Sequence, residues 1–150
     1  PNLVQAFQFF EEHSRYFFVM EFIEGRTLET ILDTLPVGQF LPLERVMAWA
    51  RQLCDVLHYL HMQTPPIIYR DLKPSNVMEL YPPLVDENGD LLTAAAPSAV
   101  DDVKIKLFDF GIARFYKPGQ KSDTVRFGTD GYLAPEIIAY QVQTSERTDE

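Results

Sequence analysis

The feature that most constrains this chain is a group of polar residues in an otherwise apolar stretch. The segment IIYRDLKPSNVM, residues 67–78, places Asp71, Lys73 and Asn76 close together. A loop carboxylate can accept a proton from a hydroxyl, a lysine can neutralise a phosphate oxygen, and a carboxamide oxygen suits Mg²⁺. A second carboxylate, Asp109, follows the segment VKIKLF. Together the four residues predict a base, a phosphate clamp and metal ligands, which phosphoryl transfer to a hydroxyl requires.

The regions on either side of this stretch carry clear secondary-structure patterns. The segments LVQAFQFF and YFFVMEFIEG predict a strand hairpin around the polar turn EEHSR. Thr27 is positioned to cap a short helix, LETILDTL. The segment VKIKLF alternates apolar and basic residues, which predicts a half-buried strand that ends at Asp109.

The clearest predicted helix runs from Pro42 to His61 and ends before Pro65 and Pro66, because proline cannot continue a helix. Its apolar residues recur at spacings of three and four, which predicts one buried face; they are Val46, Trp49, Leu53, Leu57 and Leu60. Residues 79–102 are acidic and read as an exposed insertion. Residues 111–136 are predicted to be loop.

Composition limits the class of protein. The chain has 150 residues, of which 46% are hydrophobic and 23% charged, as in an ordinary globular domain. Its net charge of −9 argues against a nucleic-acid partner. The single cysteine, Cys54, excludes an internal disulfide and a cysteine-cluster metal site, and it fits a reducing compartment. We therefore expect a cytoplasmic domain, cut from a longer protein that could be membrane-anchored elsewhere.

Three motifs in order, YRDLKPSN, DFG and APE, resemble the signature set of the protein kinase superfamily. DLKPSN and GTDGYLAPE are similar to the motifs of the Ser/Thr branch. The residues in and between the motifs most resemble those of bacterial Ser/Thr kinases. The resemblance implies a partial, α+β, protein-kinase-like fold. Residues 1–20 would end the small lobe, 21–26 would form the hinge, and 27–150 would form the first half of the mainly helical large lobe. Within that lobe lie the insertion at 79–102 and an activation segment at 109–136.

The resemblance also implies roles for the polar group. Asp71 corresponds to the catalytic base and Lys73 to the residue that steadies the γ-phosphate. Asn76 and Asp109 correspond to the two Mg²⁺ ligands. The implied cofactors are ATP and Mg²⁺, with Mn²⁺ as an alternative metal.

Four further residues correspond to the adenine site. Met20 falls at the gatekeeper position that borders the pocket. Glu21 and Ile23 fall on the hinge, where the backbone meets adenine. Met78 would form an apolar floor beneath the ring. The alternative for both methionines is simple core packing, which is compatible with lining a pocket.

The resemblance implies three regulatory residues. Arg70 precedes the base and would pair with a phosphorylated residue of the activation segment. Thr124 is the favoured phosphosite, whereas Ser122 is equally well read as an ordinary solvated residue. Thr129 would bond near the base and shape the acceptor site.

The resemblance implies structural roles for three other residues. Glu136 corresponds to an ion-pair residue, and Asp149 to the aspartate that supports the catalytic loop. Tyr69 stands where the family most often has histidine, and it would pack and hydrogen-bond rather than transfer protons.

No Gly-rich loop, strand lysine or αC glutamate precedes the hairpin, and the second half of the large lobe is absent. We therefore expect an active Ser/Thr protein kinase as the parent, with ATP and Ser/Thr protein substrates as partners and self-association for autophosphorylation. The 150-residue chain alone would be weakly active or inactive. Two alternatives remain open at this stage: a pseudokinase or scaffold module, and a small-molecule phosphotransferase of similar fold.

Overall fold

The first element is an antiparallel hairpin of β1, Ala6–Glu12, and β2, Arg15–Met20. Glu12 pairs with Arg15, so the turn consists of His13 and Ser14, whose φ angles are 49° and 59°. Two residues with positive φ match the right-handed twist of a tight hairpin. The predicted hairpin is confirmed, but its turn is shorter than the predicted EEHSR, because Glu11, Glu12 and Arg15 belong to the strands. The computed structural model describes residues 1–81, 99, 102–111, 113–116, 128–135, 138 and 145–149.

A short strand and helix follow the hairpin. β3, Gly25–Thr27, leads into α1, Leu28–Asp33, and the Thr27 hydroxyl oxygen accepts the Thr30 N–H at 3.1 Å. The predicted helix cap is therefore confirmed. However, β3 overlaps the predicted hinge at 21–26, and only residues 21–24 lie between β2 and β3. Gly25 is required there, because a Cβ atom would overlap the carbonyl oxygen of Glu79 on the neighbouring strand.

The long helix α2, Leu43–His61, agrees closely with the prediction, although Pro42 is its N-cap rather than its first residue. Its buried residues are Trp49, Val56, Leu57 and Leu60, and Leu53 packs against them in part. Val46 was predicted on this face and is 39% exposed. An amphipathic stripe can be wider than the surface that covers it, so a residue at its edge can remain in solvent.

Three strands form the sheet that carries the site. β5, Val77–Leu80, lies between β3 and β6, Ile105–Leu107, and both pairings are antiparallel. The side chains of Val103, Ile105 and Leu107 are buried, as the alternation predicted. A second, two-stranded pairing joins β4, Ile67–Ile68, to β7, Arg114–Phe115. The loop predicted from residue 111 to 136 therefore contains a short strand.

The insertion predicted from residue 79 starts too early. Glu79 and Leu80 belong to β5, and Glu79 is fully buried. Its carboxylate accepts N–H bonds from Arg45 and from the Trp49 indole, at 3.0 and 2.7 Å to the same oxygen. A buried carboxylate is tolerated when N–H donors and an opposite charge satisfy it. Most of the predicted insertion lies outside the described residues.

The core lies between α1, α2 and the three-stranded sheet. Its buried members are Leu28, Ile31, Trp49, Val56, Leu57, Leu60, Tyr69, Val77, Val103, Ile105 and Leu107. Tyr69 is the last of these before the polar group identified from the sequence. Within the part of the chain that the structure describes, no helix has the length and apolar character of a membrane span.

Candidate active site

The candidate site is built on the connection between β4 and β5. This connection contains Asp71 and Lys73 and closes with a 3₁₀ turn, Pro74–Asn76, in which the Asn76 N–H bonds to the Lys73 carbonyl at 3.0 Å. Proline suits the first position of such a turn, because its φ angle is already fixed. The Asn76 side-chain amide donates to the backbone oxygen of Asp71 and to its carboxylate, both at 2.9 Å. The turn therefore brings the three predicted residues together.

Both oxygens of the Asp71 carboxylate accept hydrogen bonds. The Thr129 hydroxyl donates to Oδ1 at 2.6 Å, and the Lys73 ammonium lies 2.8 Å from Oδ2. Lys73 also donates to the Thr129 hydroxyl at 2.7 Å. The predicted contact of Thr129 with the base and the lysine is present. It joins the catalytic loop to a segment nearly sixty residues further along the chain.

These contacts set the ionisation of Asp71. Burial raises its pKa, but hydrogen bonds from Lys73, Thr129 and Asn76 outweigh burial. The pKa of Asp71 therefore lies below its ordinary value of 3.8. The group is a carboxylate at neutral pH and can act as an acceptor for a hydroxyl proton.

Asp109 follows β6 and lies beside the same turn. The Phe108 N–H bonds to the Asn76 carbonyl at 3.1 Å, which fixes the end of the strand against the loop. The backbone at Asp109 has a φ of 61°, and its carboxylate accepts the Gly111 N–H at 3.1 Å. A positive φ is uncommon outside glycine and is most tolerated by Asn and Asp.

Asn76 and Asp109 suit a magnesium ion. The Asn76 amide nitrogen is engaged by Asp71, which leaves its side-chain oxygen to act as a ligand. Oxygen donors are the ligands Mg²⁺ prefers, and it is commonly held by one or two protein groups together with phosphates and water. Among the residues placed by the structure, no cluster of three or more His, Cys, Asp or Glu side chains forms a cage. One amide oxygen and one carboxylate are a donor set that fits a metal shared with a phosphate ligand.

Asp149 is the last residue of the short helix α3, Glu146–Asp149, and it supports the loop that carries Asp71. Its carboxylate is buried and accepts the N–H groups of Tyr69 at 2.7 Å and Arg70 at 2.6 Å. This agrees with the role that the resemblance implied for Asp149. His61 also contacts Asp149, at 3.0 Å, a contact that sequence reasoning missed. No local sequence pattern links His61 to a residue 88 positions away.

Tyr69 has the structural role expected of it. Its side chain is fully buried, and its hydroxyl donates to the Phe108 carbonyl. Its ring meets that of Phe110 edge-on, with centroids 5.2 Å apart. Burial raises the pKa of the Tyr69 hydroxyl, and the charges of Asp109 and Asp71 raise it further. The phenol therefore stays neutral and holds the end of β6 in place.

Met20, Asp109 and Gly111 border one cleft of about 520 Å³. Its other walls are aromatic and aliphatic and comprise Val4, Phe9, Phe18, Phe108 and Phe110. The structure thus brings the predicted gatekeeper to the same cleft as the predicted metal ligand Asp109. The nucleotide roles of these residues stay predictions.

The predicted hinge residues lie at a second groove, of about 470 Å³. Glu21 and Ile23 line it, together with Lys104 and Lys106. Met78 is half-buried on β5 and pairs in register with Lys106, so both side chains leave the same face of the sheet. Since Lys106 contacts Glu21, that face lies toward the predicted hinge. The floor role of Met78 stays a prediction.

The three predicted regulatory residues have different outcomes. Arg70 is largely buried next to the base, and its φ of 71° is held by the contact with Asp149. Its pairing with a phosphate stays a prediction. Thr124, Ser122 and Glu136 lie outside the described residues. Thr129 is found where the prediction placed it.

The site therefore contains a carboxylate bound to a hydroxyl, a lysine bound to both, and two further side chains with oxygen donors. Phosphoryl transfer requires groups of these types. Comparison with known proteins identifies the class: residues 1–149 match the family model described as protein kinase domain. The chain belongs to the protein kinase domain family. This confirms the partial kinase-like fold that the motifs implied.

Curated relatives include several proteins named as myosin light chain kinases. The chain is 34% identical over 141 residues to myosin light chain kinase 3 of Mus musculus, which is 93% of this chain and 15% of that protein. It is 35% identical over 140 residues to the Danio rerio protein of the same name, covering 93% of this chain and 16% of that protein. Myosin light chain kinase 2 of Mus musculus is 33% identical over 149 residues, covering 99% of this chain and 20% of that protein. The chain thus spans only about a fifth or less of the length of these relatives. They are animal proteins and lend no support to the predicted bacterial character.

Proposed function

We propose that this chain carries the catalytic face of a Ser/Thr protein kinase, which transfers the γ-phosphate of ATP to Ser or Thr hydroxyls of proteins. The observation that carries the proposal is the hydrogen bond from the Thr129 hydroxyl to Asp71 at 2.6 Å. It shows a hydroxyl of the acceptor type held at the carboxylate. A substrate hydroxyl that takes the same position would be oriented by the same oxygen.

The residues then divide the work of transfer. Asp71, ionised at neutral pH, accepts the hydroxyl proton as the substrate oxygen bonds to the γ-phosphorus of ATP. The bond from that phosphorus to the β–γ bridging oxygen breaks, and ADP leaves. Lys73 is already bound to Asp71 and Thr129 and can reach a phosphate oxygen from there, which neutralises its charge. Because the Lys73 ammonium touches the base, the acceptor oxygen and the phosphate are brought to one place.

Asn76 and Asp109 would hold Mg²⁺, with Mn²⁺ as the alternative. When bound, the metal neutralises charge on the phosphates of ATP. The chain's part is to fix the two ligands. Asn76 is oriented by Asp71, and Asp109 by the Gly111 N–H and by the contact of Phe108 with the turn.

A protein acceptor is favoured over a small molecule. The named relatives are kinases of a protein, myosin light chain. In this chain Thr129 belongs to the GTDGYLAPE segment and lies against the base. The same proposal includes regulation: a second copy of the protein phosphorylates Thr124, and that phosphate pairs with Arg70. It also includes a cytoplasmic location.

The test uses the full-length protein that contains this chain. Transfer of labelled γ-phosphate is measured to one peptide carrying Ser, Thr or Tyr at the same position, and to a panel of amino alcohols. We expect transfer to the Ser and Thr peptides that depends on Mg²⁺, and a loss of at least about 100-fold in Asp71→Asn. Asp33→Asn, an exposed carboxylate on α1, is the matched control and should retain activity.

Two results would overturn the proposal. One is phosphorylation of the amino alcohols without phosphorylation of peptides. The other is retention of normal transfer by Asp71→Asn.

A further inference from the structure

An ion pair joins the hinge to the sheet. The Lys106 ammonium on β6 contacts the carboxylate of Glu21, and the same carboxylate oxygen accepts the Gln5 N–H at 2.7 Å. The Glu21 N–H in turn donates to the Gln5 carbonyl at 2.9 Å. Gln5 thus holds the backbone of Glu21, and Gln5 and Lys106 together hold its side chain.

The pair is partly withdrawn from water. Only 17% of the Lys106 side chain and 24% of the Glu21 side chain are exposed. Partly buried pairs are less screened by solvent and salt than exposed pairs. The hydrogen bond from Lys106, then that from Gln5, lower the pKa of Glu21, so the charged form persists at neutral pH.

The two partners belong to parts of the chain with different predicted tasks. Glu21 follows the gatekeeper position and precedes Ile23, whose backbone is expected to meet adenine. Lys106 pairs in register with Met78, the predicted floor, and lies three residues before Asp109. The contact therefore fixes the distance between the edge of the adenine site and its floor.

We propose that Glu21 and Lys106 form a positioning pair for the nucleotide, which holds the hinge backbone over the β5–β6 face in the geometry that adenine requires. This inference rests on the proposed function. Preorganisation lowers the entropic cost of binding, so loss of the pair weakens nucleotide affinity. The pair does not contact Asp71 or Lys73, so the transfer step itself is left unchanged.

The test measures nucleotide affinity and turnover separately in the full-length protein. Glu21→Gln, Lys106→Met and the double variant are compared for the Kd of adenosine, the KM of ATP and kcat. We expect each single variant to raise both constants about fivefold, and the double variant to be no worse than either. Lys106→Arg, which keeps the charge, should restore affinity to within about twofold.

Two comparisons separate positioning from other effects. Adenosine lacks phosphates, so an equal effect on adenosine and ATP shows that Lys106 acts through the hinge and not by attracting phosphate. Lys104→Met removes an exposed lysine that precedes β6 and lines the same groove, and it should leave affinity unchanged.

Each contrary result has a defined meaning. The positioning role would be overturned if the losses of affinity in Glu21→Gln and Lys106→Met added up in the double variant. It would also be overturned if Lys104→Met weakened affinity equally, or if kcat fell while affinity stayed unchanged. If the full-length protein binds ATP and phosphorylates peptides, and the variants keep its Kd for adenosine and its KM for ATP, this inference alone would be overturned. An unmodified protein that binds neither adenosine nor ATP would overturn the proposed function with it.

Discussion

The buried carboxylate of Glu79 offers a quantitative test of how α2 is attached to the sheet. The perturbation is Glu79→Gln, which removes the charge but keeps the size of the side chain. Glu79 is fully buried, and its two oxygens accept N–H groups from Arg45 and Trp49. After the change, one oxygen becomes an NH₂ group that faces the Arg45 guanidinium.

The expected cost follows from the burial of the two partners. Breaking a fully buried ion pair costs about 3–5 kcal/mol, because the remaining charge is left uncompensated. The Arg45 side chain is 22% exposed and can recover part of its hydration. We therefore expect the free energy of unfolding to fall by about 2–3 kcal/mol.

Urea denaturation of the full-length protein and of the variant measures this change. Glu44→Gln, an exposed neighbour of Arg45 in the first turn of α2, is the control and should cost no more than about 0.5 kcal/mol. Arg45→Met combined with Glu79→Leu should be less destabilised than Glu79→Leu alone, because no unpaired charge remains. A loss in Glu79→Gln equal to that in the control would refute the reasoning.

Three further predictions concern the catalytic loop. Thr129→Val removes a hydrogen bond that lowers the pKa of Asp71, so the pKa rises. The acid limb of the kcat/KM profile for peptide phosphorylation then moves to higher pH, whereas Thr129→Ser should leave it in place; an unmoved limb in the valine variant would contradict this. Asp149→Asn leaves one of two backbone N–H groups without its acceptor, and kcat should fall by about 10- to 100-fold in steady-state assays. Unchanged kcat would show that the loop holds its shape without Asp149. Tyr69→Phe removes the bond to the Phe108 carbonyl and should lower the unfolding free energy by about 1 kcal/mol with kcat kept within a few-fold, as measured by thermal melting and turnover; a collapse of kcat with unchanged stability would point to a chemical role.

The sequence predicted those parts of the fold that depend on short-range rules. The hairpin turn depends on the twist of the two adjacent strands, and the helix cap depends on one hydrogen bond of the Thr27 side chain. The strand β6 is indicated by the strict alternation of apolar and basic residues. The polar group of the catalytic loop is also local, because Asn76 reaches Asp71 across a single turn. Thr129 and Asp149 could be placed near the loop only through the family resemblance, since their contacts span 56 to 80 residues.

The missed features share a different origin. Glu79 lies next to an acidic segment and so reads as exposed, although partners on α2 make its burial favourable. β7 has two residues, too few to show a period, and it exists because β4 lies beside it. Lys106 faces the hinge through a contact with a residue 85 positions earlier. Local patterns cannot report such contacts, because the partner is chosen by the tertiary structure.

The bonds from Asp149 to the catalytic loop have a consequence for biosynthesis. They connect residues 79 and 80 positions apart, and closing a loop of that length must precede any gain from the contact. A ribosome adds about 5–20 residues per second, so several seconds separate the synthesis of Arg70 from that of Asp149. During this interval the backbone N–H groups of Tyr69 and Arg70 lack their acceptor. The emerging chain therefore contains Asp71 and Lys73 for several seconds before the Asp149 carboxylate can hold the loop that carries them.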